Sequence, residues 1–342
     1  MATIRDVAKA AEVSIATVSR ILNGDKTYKS TRETQERVWK AVSDLNYVPN
    51  QAAKHLSRHG DMKFKPEENR IKVGCVLCVT REKYTDPYFM SILSGAESKL
   101  VESGYNFSVI RTSYELQDTA ILYNTLNEAL TGLIVMETLD EEIYRIVKEK
   151  IPYIVGIDTL HSDIDNVCYD RFEAAEKAVG HLIEKGHKRI AYLGGTDVSG
   201  CIRREKRYKG YLSALKDIGV DEDLSIVKNC EWDSKLCYAQ TIELLSNPDR
   251  PTAIFAASDL MAMIAMNAIF ERNLKVPDDI AVIGLSNIEM SEYANPALST
   301  IDVPKTQMGE IAAEILAGRM KGDHSLPKKI ILPTSLIERN SV

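Results

Sequence analysis

Apolar positions in residues 3–45 recur at helical spacing in three blocks: Thr3–Ala11, Ser14–Asn23 and Thr31–Leu45. Thr3 followed three positions later by Asp6 is a capping-box-like helix start. Ala8, Ala11, Val13, Val18 and Leu22 supply small and aliphatic side chains where two helices must cross closely. The connection Ala11-Glu12-Val13 is only a few residues long, as a helix-turn-helix requires. Ser14 caps the second helix, which turns Val18 and Leu22 inward and Ile15, Ala16, Thr17, Ser19 and Arg20 outward. Past residue 70 the pattern changes. Short apolar runs (73–79, 107–111, 132–136, 153–157, 189–193, 252–257, 281–285) alternate with helical patterns (88–103, 116–130, 171–185, 208–218, 235–245, 259–272). Such alternation predicts parallel sheets covered on both faces. The strands are too many for one small sheet and the order looks duplicated around Asp158–Tyr169. This predicts an α/β body of two doubly wound parallel-sheet subdomains, with ligands at the carboxyl ends of the strands.

The outward face of the second helix is short, bears hydroxyls and ends in arginine, which suits a major groove. Arginine can bond two acceptors on guanine, and Ser and Thr reach phosphates or base edges. A small helical bundle with a solvated basic face would read much the same through residue 45. The next stretch, residues 45–57, separates the two. Pro49 ends one helix, Asn50 can cap another, and Ala52, Ala53 and Leu56 line one side of a segment too short to be helical alone in water. It makes sense as a helix that forms on contact with a partner. Residues 57–70 then turn polar and aperiodic, with Gly60 and Pro66, and read as a linker.

Charge sharpens this picture. The chain carries a net −6, but residues 1–60 hold ten Lys and Arg against six Asp and Glu, leaving 33 against 43 in the remainder. A basic head on an acidic body confines attraction for DNA to one end. No apolar run approaches the ~20 residues of a membrane span, and the first residues lack the apolar core of a secretory signal, so a cytoplasmic location is expected. Cys75 and Cys78 have redox-motif spacing, but on a strand they point to opposite faces and read as buried thiols.

The runs Thr3-Ile-Arg-Asp-Val-Ala-Lys-Ala-Ala, Val13-Ser14, Thr17-Val-Ser-Arg20, Leu22-Asn23 and Leu45-Asn-Tyr-Val-Pro-Asn50 resemble the LacI/GalR family of bacterial transcription regulators. Further matching runs are Asp86-Pro-Tyr-Phe, Gly186-His-Lys-Arg-Ile, Arg207-Tyr-Lys-Gly-Tyr, Ser258-Asp-Leu-Met-Ala and Pro296-Ala-Leu-Ser-Thr-Ile. The resemblance implies that Ile15, Ala16 and Arg20 face base edges and that Leu56 wedges into the minor groove, bending DNA. It also implies a periplasmic-binding-protein-like body whose chain crosses between lobes three times. The expected division is a head with its hinge helix (1–59, hinge about 50–57), a linker (60–70) and a body (71–342). Within the body, the N-lobe takes about 71–168 and 303–332, and the C-lobe takes 169–302 and 333–342. The candidate DNA-binding set is Thr3, Ser14, Ile15, Ala16, Thr17, Ser19, Arg20, Asn23, Thr31, Tyr47, Asn50, Ala53 and Leu56.

In the body, polar groups at strand ends are the candidates for a small-molecule site. Asp158 ends one strand, Ser258 and Asp259 follow another, Ser286 and Asn287 a third, and Arg207 opens a helix after Gly194-Gly195. A carboxylate and a guanidinium facing one cleft can hold vicinal hydroxyls, with Tyr88, Phe89 and Trp232 as a flat apolar wall. Each polar group has a plainer reading as a helix cap or loop residue. The resemblance favours Asp158, Arg207 and Trp232 as effector contacts between the lobes. Many sugar-responsive members carry an acidic residue where this chain has Ser286-Asn287, so Asn287 is expected to take that role through its amide. The pattern of Ser258-Asp259 and residues 285–288 looks closest to galactose and galactoside regulators.

Enzyme chemistry finds no support: there is no G-x-S-x-G elbow, no phosphate loop and no dinucleotide fingerprint after the first strand. The histidines (55, 59, 161, 181, 187, 324) show no paired metal spacing, so no cofactor is expected. The reading is a homodimeric repressor of a near-palindromic operator, regulated by a small sugar. No C-terminal heptads encode a tetramer. A sugar receptor with an incidental basic head, an α/β enzyme, and a corepressor-dependent or activating regulator remain the alternatives.

Overall fold

The computed structural model describes residues 2–22, 28, 30–45, 47, 71–78 and 85–342. Asn23, Asn50, Ala53, Leu56, the hinge helix at about 50–57 and the linker at 60–70 lie outside them.

The head is three helices, α1 (Ile4–Ala10), α2 (Ile15–Leu22) and α3 (Arg32–Asp44). Thr3 starts α1, its N–H and hydroxyl both donating to the Asp6 carboxylate, at 2.8 and 2.7 Å. Ser14 starts α2 by accepting from the Thr17 N–H at 3.0 Å. Glu12, at φ +55°, makes the turn between the two. Val7, Ala8, Ala11, Val18, Ile21, Val38, Trp39, Ala41 and Val42 form the core. Ile21 rather than Leu22 is buried on α2. Positions 18, 21 and 22 share one stripe of a helix, and the core takes Ile21 most deeply while Leu22 stays half-buried.

After the head come β1 (Val73–Leu77), α4 (Pro87–Glu102), β2 (Phe107–Thr112), α5 (Ser113–Leu116), α6 (Thr119–Leu126), β3 (Gly132–Met136), α7 (Glu141–Lys150), β4 (Tyr153–Ile157) and β5 (Asp165–Tyr169). The second series is α8 (Arg171–Glu184), β6 (Ile190–Gly194), α9 (Lys206–Asp217), β7 (Val227–Asn229), α10 (Ser234–Leu245), β8 (Ala253–Ala256), α11 (Asp259–Glu271) and β9 (Ala281–Ser286). It closes with α12 (Met290–Tyr293), β10 (Ser299–Asp302), α13 (Lys305–Met320), β11 (Lys329–Leu332) and β12 (Ser335–Ile337).

The strands form two six-stranded sheets, ordered β11-β5-β4-β3-β1-β2 and β12-β10-β9-β8-β6-β7. The pairs β1–β2, β1–β3 and β3–β4 in the first sheet, and β6–β7, β6–β8, β8–β9 and β9–β10 in the second, are parallel. Strand β12 joins β10 antiparallel. Both orders are the doubly wound 2-1-3-4-5 scheme, whose switch point lies between β1 and β3 in one sheet and between β6 and β8 in the other. Central strands such as β3, β6 and β9 are buried along their whole length, as strands covered on both faces must be.

By residue contacts the chain forms two compact units, 1–85 with 97–166 and 312–327, and 86–96 with 167–311 and 328–342. In the first, Arg319 grips the buried Asp165 carboxylate with Nε and Nη2 at 2.7 and 2.9 Å. In the second, α4 and α13 touch backbone to backbone. A methyl at Gly95 would lie 2.1 Å from the Thr306 carbonyl oxygen, and one at Gly309 2.0 Å from that of Ile92. Cys75 is buried, which pushes its thiol up to about 12, and Cys78 lies just past the end of β1. Among the described residues no helix is long and apolar enough to cross a membrane, and no group of three or more acidic, His or Cys residues could hold a metal.

Candidate functional site

Helix α2 keeps Val18 and Ile21 in the core and leaves Ile15, Ala16 and Arg20 exposed on its other side, Ile15 at 45%. The Arg20 guanidinium lies 5.2 Å from the ring centroid of Tyr28, which holds the cation at the end of the helix by a cation–π contact. Thr17 bonds both Ser14 and the Tyr28 hydroxyl, at 2.9 and 3.3 Å. Ser19 and Tyr47 are half-buried. Thr3, Ser14 and Thr31 do local work first: each starts a helix, Thr31 by accepting from the Thr34 N–H at 3.3 Å. The amino ends of α1, α2 and α3 are therefore built as helix starts, where phosphates are readily bound.

In the second unit, the switch point between β6 and β8 is occupied by Arg207. Its Nη1 donates to the Ala257 carbonyl, just past β8, at 3.2 Å, and its Nε to Glu205 at 2.9 Å. Glu205 is buried and also caps α9, accepting from the N–H groups of Arg207 and Tyr208 at 2.7 and 3.0 Å. Burial opposes both charges. Yet Arg207, with Arg171 and the cap bonds, holds the Glu205 carboxyl below its usual value, and Glu205 raises the guanidinium above its own. The pair is ionised.

Above it lies Trp232, whose ring centroid is 4.4 Å from the guanidinium carbon. Its indole N–H donates to the Thr196 carbonyl at 3.1 Å. A methyl at Gly195 would meet that nitrogen at 2.2 Å, so only glycine there lets the indole sit down. The result is a fixed planar cation against a fixed aromatic ring at the carboxyl ends of β6, β7 and β8. The bonds of the Arg207 side chain among the described residues run from Nε and Nη1, with none from Nη2.

The other polar candidates of this unit converge at the ends of β9 and β10, but they are consumed by the fold. Ser258 is the cap of α11, accepting from the Met261 N–H at 3.3 Å. Asp259, expected to cap or to bind, is fully buried. Its carboxylate accepts from the Thr300 hydroxyl and from the Ile288 N–H at 2.8 Å, beside a glycine (284) that leaves room for it. Burial pushes it up to about 6. Asn287, expected to grip a hydroxyl, has its amide in use: Nδ2 donates to Asp302 at 2.8 Å, and Oδ1 accepts from Arg339 at 2.9 Å and from Ser291 at 3.3 Å. Ser286 is buried at φ +127° and Asn287 follows at φ +51°.

Sequence reasoning missed what holds this turn. Lys305 is buried, and its ammonium donates to the carbonyls of Ser286, Asn287 (2.9 Å) and Val303 (3.0 Å). Burial lowers its pKa, against the pull of Asp302 and Asp259. Glu205 was also missed, hidden in the charge run 203–207. Its one signal was its place at the N-cap of α9, which opens at Lys206 rather than at Arg207. Tyr88 and Phe89 begin α4 and meet edge to face at 5.1 Å, with Phe89 buried and Tyr88 half-buried. Asp158, in the first unit, is half-buried at φ +55° just past β4.

Residues 3–50 match the family model described as bacterial regulatory proteins, lacI family, and residues 179–342 match a periplasmic binding protein-like domain. The HTH-type transcriptional repressor PurR of Vibrio atlanticus (strain LGP32) is 34% identical over 351 residues, covering 100% of this chain and 99% of that protein. The chain belongs to the LacI family of bacterial regulatory proteins. A second LacI-family relative, the PurR repressor of Escherichia coli O139:H28 (strain E24377A / ETEC), is 32% identical over 355 residues, with 100% and 97% covered. Among solved structures, the complex of the transcriptional regulator CelR with cellobiose has a TM-score of 0.71 at 26% identity, with 100% of both chains covered. The lac repressor dimer bound to operator and the anti-inducer ONPF has a TM-score of 0.68 at 25% identity, covering 99% of this chain and 98% of that one. This LacI-family chain is a DNA-binding transcriptional repressor with an effector-binding domain, a helical head followed by two parallel-sheet subdomains. Its relatives and structural neighbours are transcription regulators rather than enzymes. LacI-family repressors bind operator DNA and a small-molecule effector, typically as dimers.

Proposed function

We propose that this repressor acts as a homodimer on a near-palindromic operator and is controlled by a small neutral ring ligand, a sugar first, held by Arg207 and Trp232. The carrying observation is the guanidinium fixed 4.4 Å from the indole ring at the switch point of the second sheet. A ligand ring packs against the aromatic face, and Nη2 of Arg207 bonds its oxygens. Asp158, Tyr88 and Phe89 complete the set we assign to the effector, and Ser258, Asp259, Ser286 and Asn287 shape the neighbouring strand ends. The preference for galactose or a galactoside is weakened. It rested on Ser258-Asp259 and residues 285–288, whose side chains are engaged within the fold, and the PurR relatives lend it nothing. Galactose is kept as the first sugar to test.

A second reading is favoured by that same engagement of Asp259 and Asn287: an aromatic face with a guanidinium also suits a planar heterocycle such as a nucleobase. Calorimetric titration of the wild type and Arg207→Ala with galactose, lactose, glucose, their phosphates and the nucleobases decides between them. Heat from a neutral sugar in the wild type, lost in Arg207→Ala, supports the first reading. Heat from a nucleobase alone supports the second. Response only to a phosphosugar would remove both.

The dimer is assigned to the body. Helices α10 and α11 leave a groove of about 480 Å³ lined by Ser234, Lys235, Tyr238, Met263, Ile264 and Asn267. Tyr293 on α12 is 74% exposed. Apolar side chains left outward on neighbouring helices suit a second copy of the chain. The division into head (1–59), linker (60–70) and body (71–342), and a cytoplasmic location, belong to this same proposal. Effector control requires only that the ligand bind two states of the repressor unequally.

A further inference from the structure

Within the first unit, α3 packs against more than its own head. Trp39 is 2% exposed, and its ring lies parallel to that of Tyr123 on α6, centroids 6.0 Å apart and planes 7° from each other. Ala120 and Tyr123 of α6 join the apolar cluster built by Val7, Val18, Val38, Trp39 and Val42 of the head. Burial pushes the Tyr123 hydroxyl up, with Glu36 and Asp44 of α3 adding to it, so three positions of α3 bear on this one residue. The Trp39 indole N–H has no hydrogen-bond partner among the described residues, so the contact is one of ring faces and apolar edges. The face of α2 that carries Ile15, Ala16 and Arg20 stays uncovered in this arrangement.

We propose that α6 is the seat of the DNA-reading head: Trp39 docks on Tyr123 and Ala120 and presents the face of α2 outward. A head joined to the body by chain alone loses orientational freedom when it meets DNA, and that loss weakens binding. A head already seated has lost it beforehand. The seat also gives the body a direct handle on the head, since any movement of α6 is felt at Trp39.

The test uses the full-length protein labelled with 5-fluorotryptophan, which has only two indoles, Trp39 and Trp232; Trp39→Phe assigns the fluorine resonances. DNA binding is measured on duplexes selected by the wild type from a random-sequence pool. Tyr123→Ala is expected to shift the Trp39 resonance and leave that of Trp232 in place. It should also weaken binding about three- to tenfold, the size of one aromatic pair. Tyr123→Phe keeps the ring and should leave both readouts near wild type. An unmoved Trp39 resonance in Tyr123→Ala overturns the seat. A moved resonance with unchanged DNA affinity overturns its role in presentation. Tighter DNA binding by Tyr123→Ala overturns it too, because the seat would then hold the head away from DNA. A Tyr123→Phe protein as weak as Tyr123→Ala would place the effect in the hydroxyl and overturn the stacked ring as its source.

Discussion

The guanidinium of Arg207 lies 4.4 Å from the ring centroid of Trp232 while its Nε is held by Glu205 at 2.9 Å. One side chain is thus fixed in plane by a carboxylate and covered on a face by an indole. Neither restraint is available to a lysine, whose ammonium is a point charge. Arg207→Lys should therefore lose most effector affinity, about 1.5–3 kcal/mol as for a lost charged hydrogen bond, while operator binding without ligand stays at wild-type strength. Calorimetry and operator titration on the same variant check both halves.

Glu205 makes a sharper case. Glu205→Gln keeps a cap for α9 but leaves the Arg207 cation buried without its counter-charge. Effector affinity is expected to fall with that of Arg207→Lys, and the double variant should cost less than the sum of the two singles. Additive losses in the double-mutant cycle would show that the two residues act independently.

Asp259 carries a pH signature. Its folded pKa is raised to about 6 by burial, above the ordinary 3.8. The folded state therefore holds the proton more tightly than the unfolded chain. The stability this contributes is fully present below pH ~4 and lost as pH rises through ~6. The stability of the wild type relative to Asp259→Asn should fall across that window by on the order of 2–3 kcal/mol, because each tenfold difference in proton affinity between the two states is worth about 1.4 kcal/mol. Denaturant melts at pH 4, 5, 6 and 7 measure it. A constant difference between the two proteins would contradict it.

Arg20 is exposed at the end of α2 and steadied by Tyr28. Arg20→Ala should cost ~1–3 kcal/mol of operator binding and relax preference at one base position. A loss equal on all duplexes would make it a phosphate contact. At the body, Ile264→Glu places a charge in the groove between α10 and α11. Sedimentation should show a monomer that keeps its fold, whereas an undisturbed dimer would move the interface elsewhere.

The alternation of apolar runs with helical patterns made the doubly wound sheets legible, because a strand covered on both faces leaves a short continuous apolar run and a helix a 3.6-residue period. Strands β5, β7, β10, β11 and β12 were not among those runs: β5 opens on Asp165-Asn166, and the other four are only three or four residues long. Arg207 and Trp232 could be singled out only through the resemblance to the LacI/GalR family, because a charge run and a lone tryptophan also suit a solvated surface or plain packing. The engagement of Asp259 and Asn287 within the fold was not legible for one physical reason: a polar residue at a strand end can face a ligand or the fold, and only the partners decide. Here Thr300, Asp302 and Arg339 are those partners, distant in sequence. Lys305 was invisible for the same reason, since nothing local marks a lysine whose ammonium will bond three backbone carbonyls.

On the proposed function, this LacI-family repressor changes its hold on DNA when a neutral ring ligand meets Arg207 and Trp232. The direct measurement is operator affinity at one fixed salt concentration, with and without a panel of neutral sugars, phosphosugars and nucleobases, for the wild type and Arg207→Ala. At least one neutral sugar or nucleobase should change the wild-type affinity by about tenfold or more and leave Arg207→Ala unmoved. An operator affinity that no neutral ligand alters, or one altered equally in both proteins, would contradict the account.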